Sequence, residues 1–435
     1  MIPGYTKRYK ETLQYMFSKL PMYQRVGSVA YKKDLTNIVK LCNYLGNPHL
    51  KFPCIHIAGT NGKGSTSHLL AAAFQTKKYK TGLYVSPHYK DYRERIKIDG
   101  KYIPVKFVVD FIEELKPIIE EINPSFFELN VAMAFAYFAS KNVDIAIIET
   151  GLGGRLDSTN IIKPVLSVIT NISYDHMSLL GETLPEIAFE KAGIIKEGIP
   201  VVIGEKQAEV ATVFEKRASE HNAKLYNASD HFKAELKESN PDYDVFDIYK
   251  DNQLIFEGLK FELKGSFQTK NMLTVLATLA IYNELHPGFF KTEDIYTAFA
   301  NVKSLTNFIG RWQILMQKPM VIADSGHNEA GIANVIDQLN SLHYNKLHMV
   351  IGVVNDKDID KMLAMFPHDA SYYFAKANIP RGLDAKLLRE KAKRYNLKGK
   401  AFSSVNKAYK AALVNAAEDD LIFIGGSTFV VAEVL

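Results

Sequence analysis

IHIAGTNGKGSTSHLL, residues 55–70, is the stretch from which the rest of the chain can be read. An apolar run ends in a glycine-rich turn, and a lysine and several hydroxyl residues then open a helical pattern. Gly59, Gly62 and Gly64 let the backbone come close to an anion and take dihedrals closed to other residues. The N–H groups of such a loop, from Gly59 through Thr60, Asn61 and Gly64 to Ser65 and Thr66, together with a helix N-terminus, supply positive potential for phosphates. Lys63 is placed to reach the terminal ones. The loop is tighter than the usual GxxxxGK[ST], and Gly64 follows the lysine, so Ser65 or Thr66 becomes the hydroxyl nearest a metal. Kinases, motor ATPases and ligases share loops of this kind, and the reaction stays open at this point.

Outward from the loop, short β-branched runs alternate with amphipathic stretches. Strands are predicted at 52–58, 81–85, 143–148, 165–170 and 199–203, each apolar almost throughout, as strands covered on both faces tend to be. Between them Ser65–Thr76 reads as a helix, with Leu69, Leu70, Ala73 and Phe74 on one face. The pattern predicts an α/β fold, a parallel sheet with crossover helices. Residues 205–265 lose this regularity, and 244–263 read as two short strands about a turn at Asp251–Asn252. A second βα series follows, with strands at 320–323, 348–353, 371–374 and 421–424. We place the boundary in KSLTNFIGRWQ, giving a P-loop ATPase domain over 1–303 and a smaller Rossmann-like domain over 304–435.

Bulk properties narrow the classes. At 435 residues the chain exceeds what single cores usually reach, which supports two domains. The net charge is +5 with scattered lysines, which argues against a nucleic-acid stripe. The cysteines, Cys42 and Cys54, form no CxxC pair, so neither a disulfide framework nor a zinc site is expected, and a reducing cytoplasm is the natural reading. The opening MIPGYTKRYKETLQYMF lacks the apolar core of a signal peptide. The longest apolar helical run, Val131–Ala139, falls short of the ~20 residues a membrane span needs.

Chemistry-bearing residues cluster at the carboxyl ends of predicted strands, where such folds bind ligands. Ser86 and His88 follow one strand, Glu149 ends the next, His176 follows another, and Lys191 lies on a helix. Glu149 is the best Mg²⁺ candidate, since a buried strand rarely ends in an acid without a partner. A salt bridge to Arg155 is its alternative. Taken alone, His176 is as well read as a packing or surface residue, and Lys191 as a solvated helix lysine.

AGTNGKGS, SPHYKDYRERIKIDG, SFFEL, ETGLGGRLDSTN, DHMSLLG and EKAGIIK occur in this order, followed by GSFQTKNMLTVLA, GRWQ and DSGHN. Together they resemble the folylpolyglutamate synthase/dihydrofolate synthase family over essentially the whole chain. The glycine loop is common to the wider Mur ligase superfamily, whereas SPHY…ERI and GLGGRLDSTN are similar to the folate branch alone. The resemblance implies ATP, two Mg²⁺ ions held by Ser86, Glu149 and His176, and a carbamate on Lys191, a role that needs Lys191 desolvated or near positive charge. It implies that Asn271, Arg311 and Asp324 contact ATP, with His327 near the glutamate pocket and a candidate for taking the amine proton. It also implies that a pterin lies against Ser125, Phe126, Phe127 and Glu128 and against Leu156, Asp157 and Ser158. Phe126 and Phe127 would offer stacking faces, and Asp157 a carboxylate for the pterin amino groups.

Two departures stand out. DSGHN, Asp324–Asn328, replaces the usual DGAHN and reads as a change of small spacer residues, and Phe267 stands where histidine is frequent. The function implied is an ATP-dependent ligase joining L-glutamate to dihydropteroate and to reduced folates through an acyl phosphate, as a cytoplasmic monomer without nucleic-acid or membrane partners. A polyglutamate extender alone, a cell-wall Mur ligase and a P-loop switch protein are the rivals.

Overall fold

The structure is a computed structural model that describes residues 5–22, 34–355 and 359–435; the opening residues 1–4 lie outside them. The chain divides into two compact units. Residues 1–88 and 93–308 form the first, and residues 89–92 and 309–435 the second.

The first unit contains β1 (Cys54–Ala58), β2 (Thr81–Tyr84), β3 (Ile96–Ile98), β4 (Lys101–Tyr102), β5 (Ile145–Glu149), β6 (Leu166–Ile169), β7 (Val201–Ile203) and β8 (Leu225–Asn227). Among the described residues these eight make one sheet, in the order β4-β3-β2-β5-β1-β6-β7-β8. From β2 to β8 every pairing is parallel, and the hairpin β3–β4 is antiparallel at one edge. β1 lies at the centre between β5 and β6, which brings the carboxyl ends of all three to one place. The helix Lys63–Thr76 that follows β1 is buried along its whole length from Ser65 to Phe74. The expected one-sided helix is therefore wrong: it packs on the sheet and is covered by the helices Ser266–Leu285, Thr292–Ala300 and Val302–Thr306.

β9 (Phe232–Ser239), β10 (Asp244–Lys250) and β11 (Gln253–Phe261) form an antiparallel sheet with the predicted turn at Asp251–Asn252. Phe232, Phe246, Ile248, Leu259 and Phe261 from its inner face join the core of the main sheet. The opposite side chains of β9 are charged and exposed, which is why its sequence shows no apolar run.

The second unit is built on β12 (Gln313–Gln317), β13 (Met320–Asp324), β14 (Leu347–Ile351), β15 (Ser371–Ala375), β16 (Gly399–Phe402) and β17 (Leu421–Gly425), in the order β12-β13-β17-β14-β15-β16. All pairs are parallel except β12–β13. Alternate residues feed two cores: Ile322, Met349, Phe374 and Phe423 face one way, and Val321, Val350, Tyr373 and Ile424 the other.

The units part between Phe308 and Ile309, five residues beyond the expected boundary. Physical ties hold the intervening segment in the first unit. Lys97 Nζ donates to Thr306 O (3.0 Å) and Asn307 O (2.9 Å), and Thr306 Oγ1 lies 2.7 Å from His68 Nδ1. No described helix is long and apolar enough to cross a membrane.

Phe74 is fully buried, its ring 5.0 Å from those of both Tyr282 and Phe290. Phe74→Ala should cost about 3–5 kcal/mol in the stability of this unit, measured by denaturant unfolding. A loss under ~1 kcal/mol would show that the helices close over the gap.

Candidate active site

The glycine loop leaves the end of β1 under close steric control. Gly59 has φ +143, and a Cβ there would collide with Thr170 Oγ1. Gly62, with φ +85 at the N-cap of Lys63–Thr76, would drive a Cβ into Asn271 Oδ1. The chain just after β6 holds the loop. Thr60 N donates to Asn171 O (2.8 Å), Asn61 N to Asn171 Oδ1 (3.1 Å), and Thr170 Oγ1 to Asn61 O (2.6 Å). Lys63 Nζ turns back to Gly59 O and Thr60 O, each at 3.1 Å. Ser65 Oγ accepts from Gln268 Nε2 (3.1 Å), and Gln268 Oε1 accepts from Asn271 Nδ2 (2.9 Å), so the helix Ser266–Leu285 carries the predicted Asn271 to the loop. Gln268 was not singled out from sequence; its place three residues before Asn271 on one helix face was the available signal. Thr66 Oγ1 is buried and makes no hydrogen bond among the described residues.

Glu149 ends β5 beside β1, in register with Ile57, and is 3% exposed. Its Oε2 accepts from Ser86 N (3.1 Å). A Cβ on Gly64 would lie 3.8 Å from that oxygen, so the carboxylate faces the first turn of the loop helix. Arg155 pairs with Glu190 (2.8 Å) and not with Glu149, which removes the alternative for the acid. Lys191, on Leu184–Ala192, is buried and donates to Gly59 O (2.8 Å). Burial, with the charge of Lys63 nearby, pulls its ammonium down to about 7. His176 has φ +52 and opens the short helix Met177–Leu180, its N–H on Asp175 Oδ1 (2.9 Å). Among the described residues no three His, Cys, Asp or Glu gather as a ready metal cage. A buried carboxylate beside unsatisfied hydroxyl oxygen and a phosphate loop does fit Mg²⁺, which takes one or two carboxylates and otherwise keeps water and phosphate ligands.

The segments expected to meet a pterin divide differently from the expectation. Ser125 caps the helix Phe126–Ser140 in a capping box: Glu128 N donates to Ser125 Oγ, and Ser125 N to Glu128 Oε2 (2.6 Å). Phe126 is 3% exposed and packs on Phe17, centroids 5.5 Å apart, so it is a core residue. Phe127 is half-buried, close over Gly151 and 6.2 Å from the Tyr84 ring. Asp157 is 1% exposed and spends its carboxylate on its own loop, accepting from Gly151 N (2.9 Å), Leu152 N (2.8 Å), Thr159 N (3.0 Å) and Thr159 Oγ1 (2.5 Å). A carboxylate has about four acceptor sites, so a further donor arriving at Asp157 has to share or displace one of these. Thr159 Oγ1 lies 2.8 Å from His56 Nε2 on β1, which ties this loop to the central strand. Leu156 is partly exposed and Ser158 is buried next to Asp157.

In the second unit Asp324 ends β13 with its carboxylate buried. Oδ2 accepts from Trp312 N and Oδ1 from Gly326 N, each at 2.7 Å. Burial raises its pKa against the opposing charge of Arg311. Trp312 has φ +42, an uncommon conformation for a bulky residue, and the Asp324 bond holds its N–H there. Arg311 Nη1 donates to Tyr89 Oη, Ser325 Oγ and Gly310 O. His327 Nδ1 lies 3.0 Å from Ser325 O, and Asn328 caps Glu329–Asn340 through Gly331 N (2.8 Å).

Residues 57–279 match the model of the Mur ligase middle domain, and residues 310–428 that of the Mur ligase, glutamate ligase domain. The dihydrofolate synthase/folylpolyglutamate synthase of Bacillus subtilis is 30% identical over 93% of this chain and 94% of its own length. The chain belongs to this family. A probable bifunctional folylpolyglutamate synthase/dihydropteroate synthase of Haloferax volcanii is 32% identical, and there the chain spans about half of the relative, 48% of its length. The solved structure of Escherichia coli FolC in complex with DHPP and ADP superposes with a TM-score of 0.86 at 28% identity, covering 99% of this chain and 98% of that one. Within such a Mur ligase the Glu149 carboxylate is expected to hold Mg²⁺. Glu149→Gln should therefore lower the rate at least ~100-fold and recover in part at raised Mg²⁺. An unaltered Mg²⁺ dependence with a lowered melting temperature would instead make Glu149 structural.

Proposed function

We propose that the chain adds L-glutamate both to dihydropteroate and to reduced folates, consuming ATP and releasing ADP and phosphate. The observation that carries this reading is a phosphate loop with Lys63, buried Glu149 and buried Lys191 gathered at one strand end, in a chain whose relatives bear both activities in their names. We read it as a cytoplasmic monomer.

A carboxylate is a poor electrophile at neutral pH. In the proposed sequence one oxygen of the folate carboxylate attacks the terminal phosphorus of ATP, and the bond to ADP breaks. The glutamate nitrogen then attacks the acyl carbon, phosphate leaves with its oxygen, and the nitrogen loses a proton. Lys63 and the N–H groups of residues 59–66 compensate the anionic phosphates, and Arg311 adds a planar cation. Glu149, Ser86, Thr66 and His176 would hold Mg²⁺, which supplies Lewis-acid charge to the phosphates. Asp324 secures the backbone beside Arg311, and His327 is the base candidate in the glutamate ligase domain. Phe127, rather than Phe126, would give the pterin its flat face, with Leu156 and Ser158 beside it.

Phosphate release should be measured with dihydropteroate, tetrahydrofolate or neither, each with and without glutamate. We expect turnover with either acceptor only when glutamate is present. If dihydropteroate neither supports turnover nor inhibits the tetrahydrofolate reaction, the chain is a polyglutamate extender alone.

Lys191 is proposed to carry a carbamate. Its neutral amine attacks CO₂, a C–N bond forms, and a proton passes to solvent. The amine is neutral above its lowered pKa of about 7 and charged below it, so reaction is favoured as pH rises through that value. After removal of CO₂, bicarbonate should restore activity faster above pH ~7 than below, and Lys191→Arg should not respond. Full activity without CO₂ would refute the carbamate.

A further inference from the structure

His56 stands in the middle of β1 and is fully buried, in register with Ile148 on β5 and Ser167 on β6. Its Nε2 lies 2.8 Å from Thr159 Oγ1. That hydroxyl donates to Asp157 Oδ1 (2.5 Å), and Asp157 Oδ2 accepts from Gly151 N (2.9 Å) and Leu152 N (2.8 Å). Gly151 in turn carries the chain against Phe127, whose ring would collide with a Cβ placed there. The loop also begins on β1, where Thr150 N donates to Ile57 O (2.9 Å). Residues 150–159 thus form a loop whose two ends hang on adjacent residues of the central strand, just before the glycine turn at Gly59.

Proton counting gives this chain of bonds a direction. Burial, with the charge of Lys196 as the second cause, pulls the His56 imidazole down to about 3, so the ring is neutral and has one N–H. Thr159 has one hydroxyl proton, and Asp157 takes it. The contact to His56 therefore needs Nε2–H as donor and Thr159 Oγ1 as acceptor. Its other nitrogen, Nδ1, is then a buried acceptor with no partner among the described residues. An unpaired buried acceptor is unfavourable, and an apolar side chain in this strand would avoid it. What the histidine adds in exchange is the bond into the loop.

We propose that His56 and Thr159 are positioning residues that lock Asp157 and Gly151, and so set where a pterin-bearing acceptor lies against Phe127 relative to the phosphate loop. The proposal rests on the ligase reading above, in which Phe127 gives the pterin its flat face.

The test measures kcat and the KM values for dihydropteroate and for ATP in glutamate-dependent ADP release, beside thermal melts. The proteins are the wild type, Thr159→Ser, Thr159→Val, His56→Gln, His56→Asn and the double variant His56→Asn/Thr159→Val. Glutamine places an N–H near the position of Nε2, whereas asparagine places it near the unpaired Nδ1. Destabilisation alone lowers the active fraction, and with it kcat, but leaves KM where it was. Thr159→Val and His56→Asn should each raise the KM for dihydropteroate about 10-fold and change that for ATP less than about 2-fold. The double should be little worse than either single, and Thr159→Ser and His56→Gln should stay within about 3-fold of the wild type. In wild-type protein labelled at the histidine ring nitrogens, the magnetic resonance signals missing from His56→Gln should be those of a neutral ring protonated at Nε2. An Nδ1–H ring, glutamine no better than asparagine, multiplicative losses in the double, or a KM for ATP that rises in parallel would overturn the proposal and leave the ligase reading intact. A wild type with no glutamate-dependent ADP release on dihydropteroate would overturn both.

Discussion

The carbonyl oxygen of Gly59 accepts hydrogen bonds from two lysines, Lys63 at 3.1 Å and Lys191 at 2.8 Å. Two ammonium groups on one neutral oxygen repel each other, and burial of Lys191 removes the water that would screen them. The arrangement is relieved when Lys191 gives up its proton and when Lys63 meets an anion. The second relief is what a phosphate loop provides. Gly59 itself takes φ +143 against Thr170, where a side chain would collide. The order of strands β5-β1-β6 is what brings Thr170 and Asn171 to one side of the loop and Glu149 to the other.

Much of this was legible before any coordinates. The β-branched runs at 54–58, 145–149 and 166–169 are strands because they are buried on both faces, and such strands declare themselves by composition. The edge strands β4, β8, β9, β12 and β16 did not, since an edge strand needs little apolar surface, and β3, though buried, is three residues long. The loop, Lys63 and Glu149 were singled out by residue type at a strand or helix end, and Asn271 by resemblance. Lys191 could be named by resemblance only, because its lowered pKa depends on burial and on Lys63, which belong to the tertiary fold.

Asp157 and Phe126 show the opposite limit. Each is the residue type that binds a flat heterocycle, and each also makes contacts within the fold. Whether a carboxylate is available is a matter of hydrogen-bond accounting. Four donors arrive at Asp157 from Gly151, Leu152 and Thr159, and none of these is apparent from the spelling GLGGRLDSTN. The acid is then better understood as the device that gives the glycine-rich loop its shape, with Thr159 passing the constraint to His56 on β1.

The second unit repeats the same economy around a different acid. Asp324 is buried, yet its partners are backbone N–H groups rather than the adjacent guanidinium. Backbone N–H groups take up the hydrogen-bonding capacity of the carboxylate, while its charge and that of Arg311 still attract. Asp324 fixes the unusual φ of Trp312, which sets where the chain leaves Arg311. Tyr89, Ser325 and Gly310 then fix the far end of the same side chain. An arginine held at its backbone by one set of contacts and at its guanidinium by another has little rotamer freedom left to lose on meeting an anion. That preorganisation, rather than added charge, is what distinguishes it from a surface arginine.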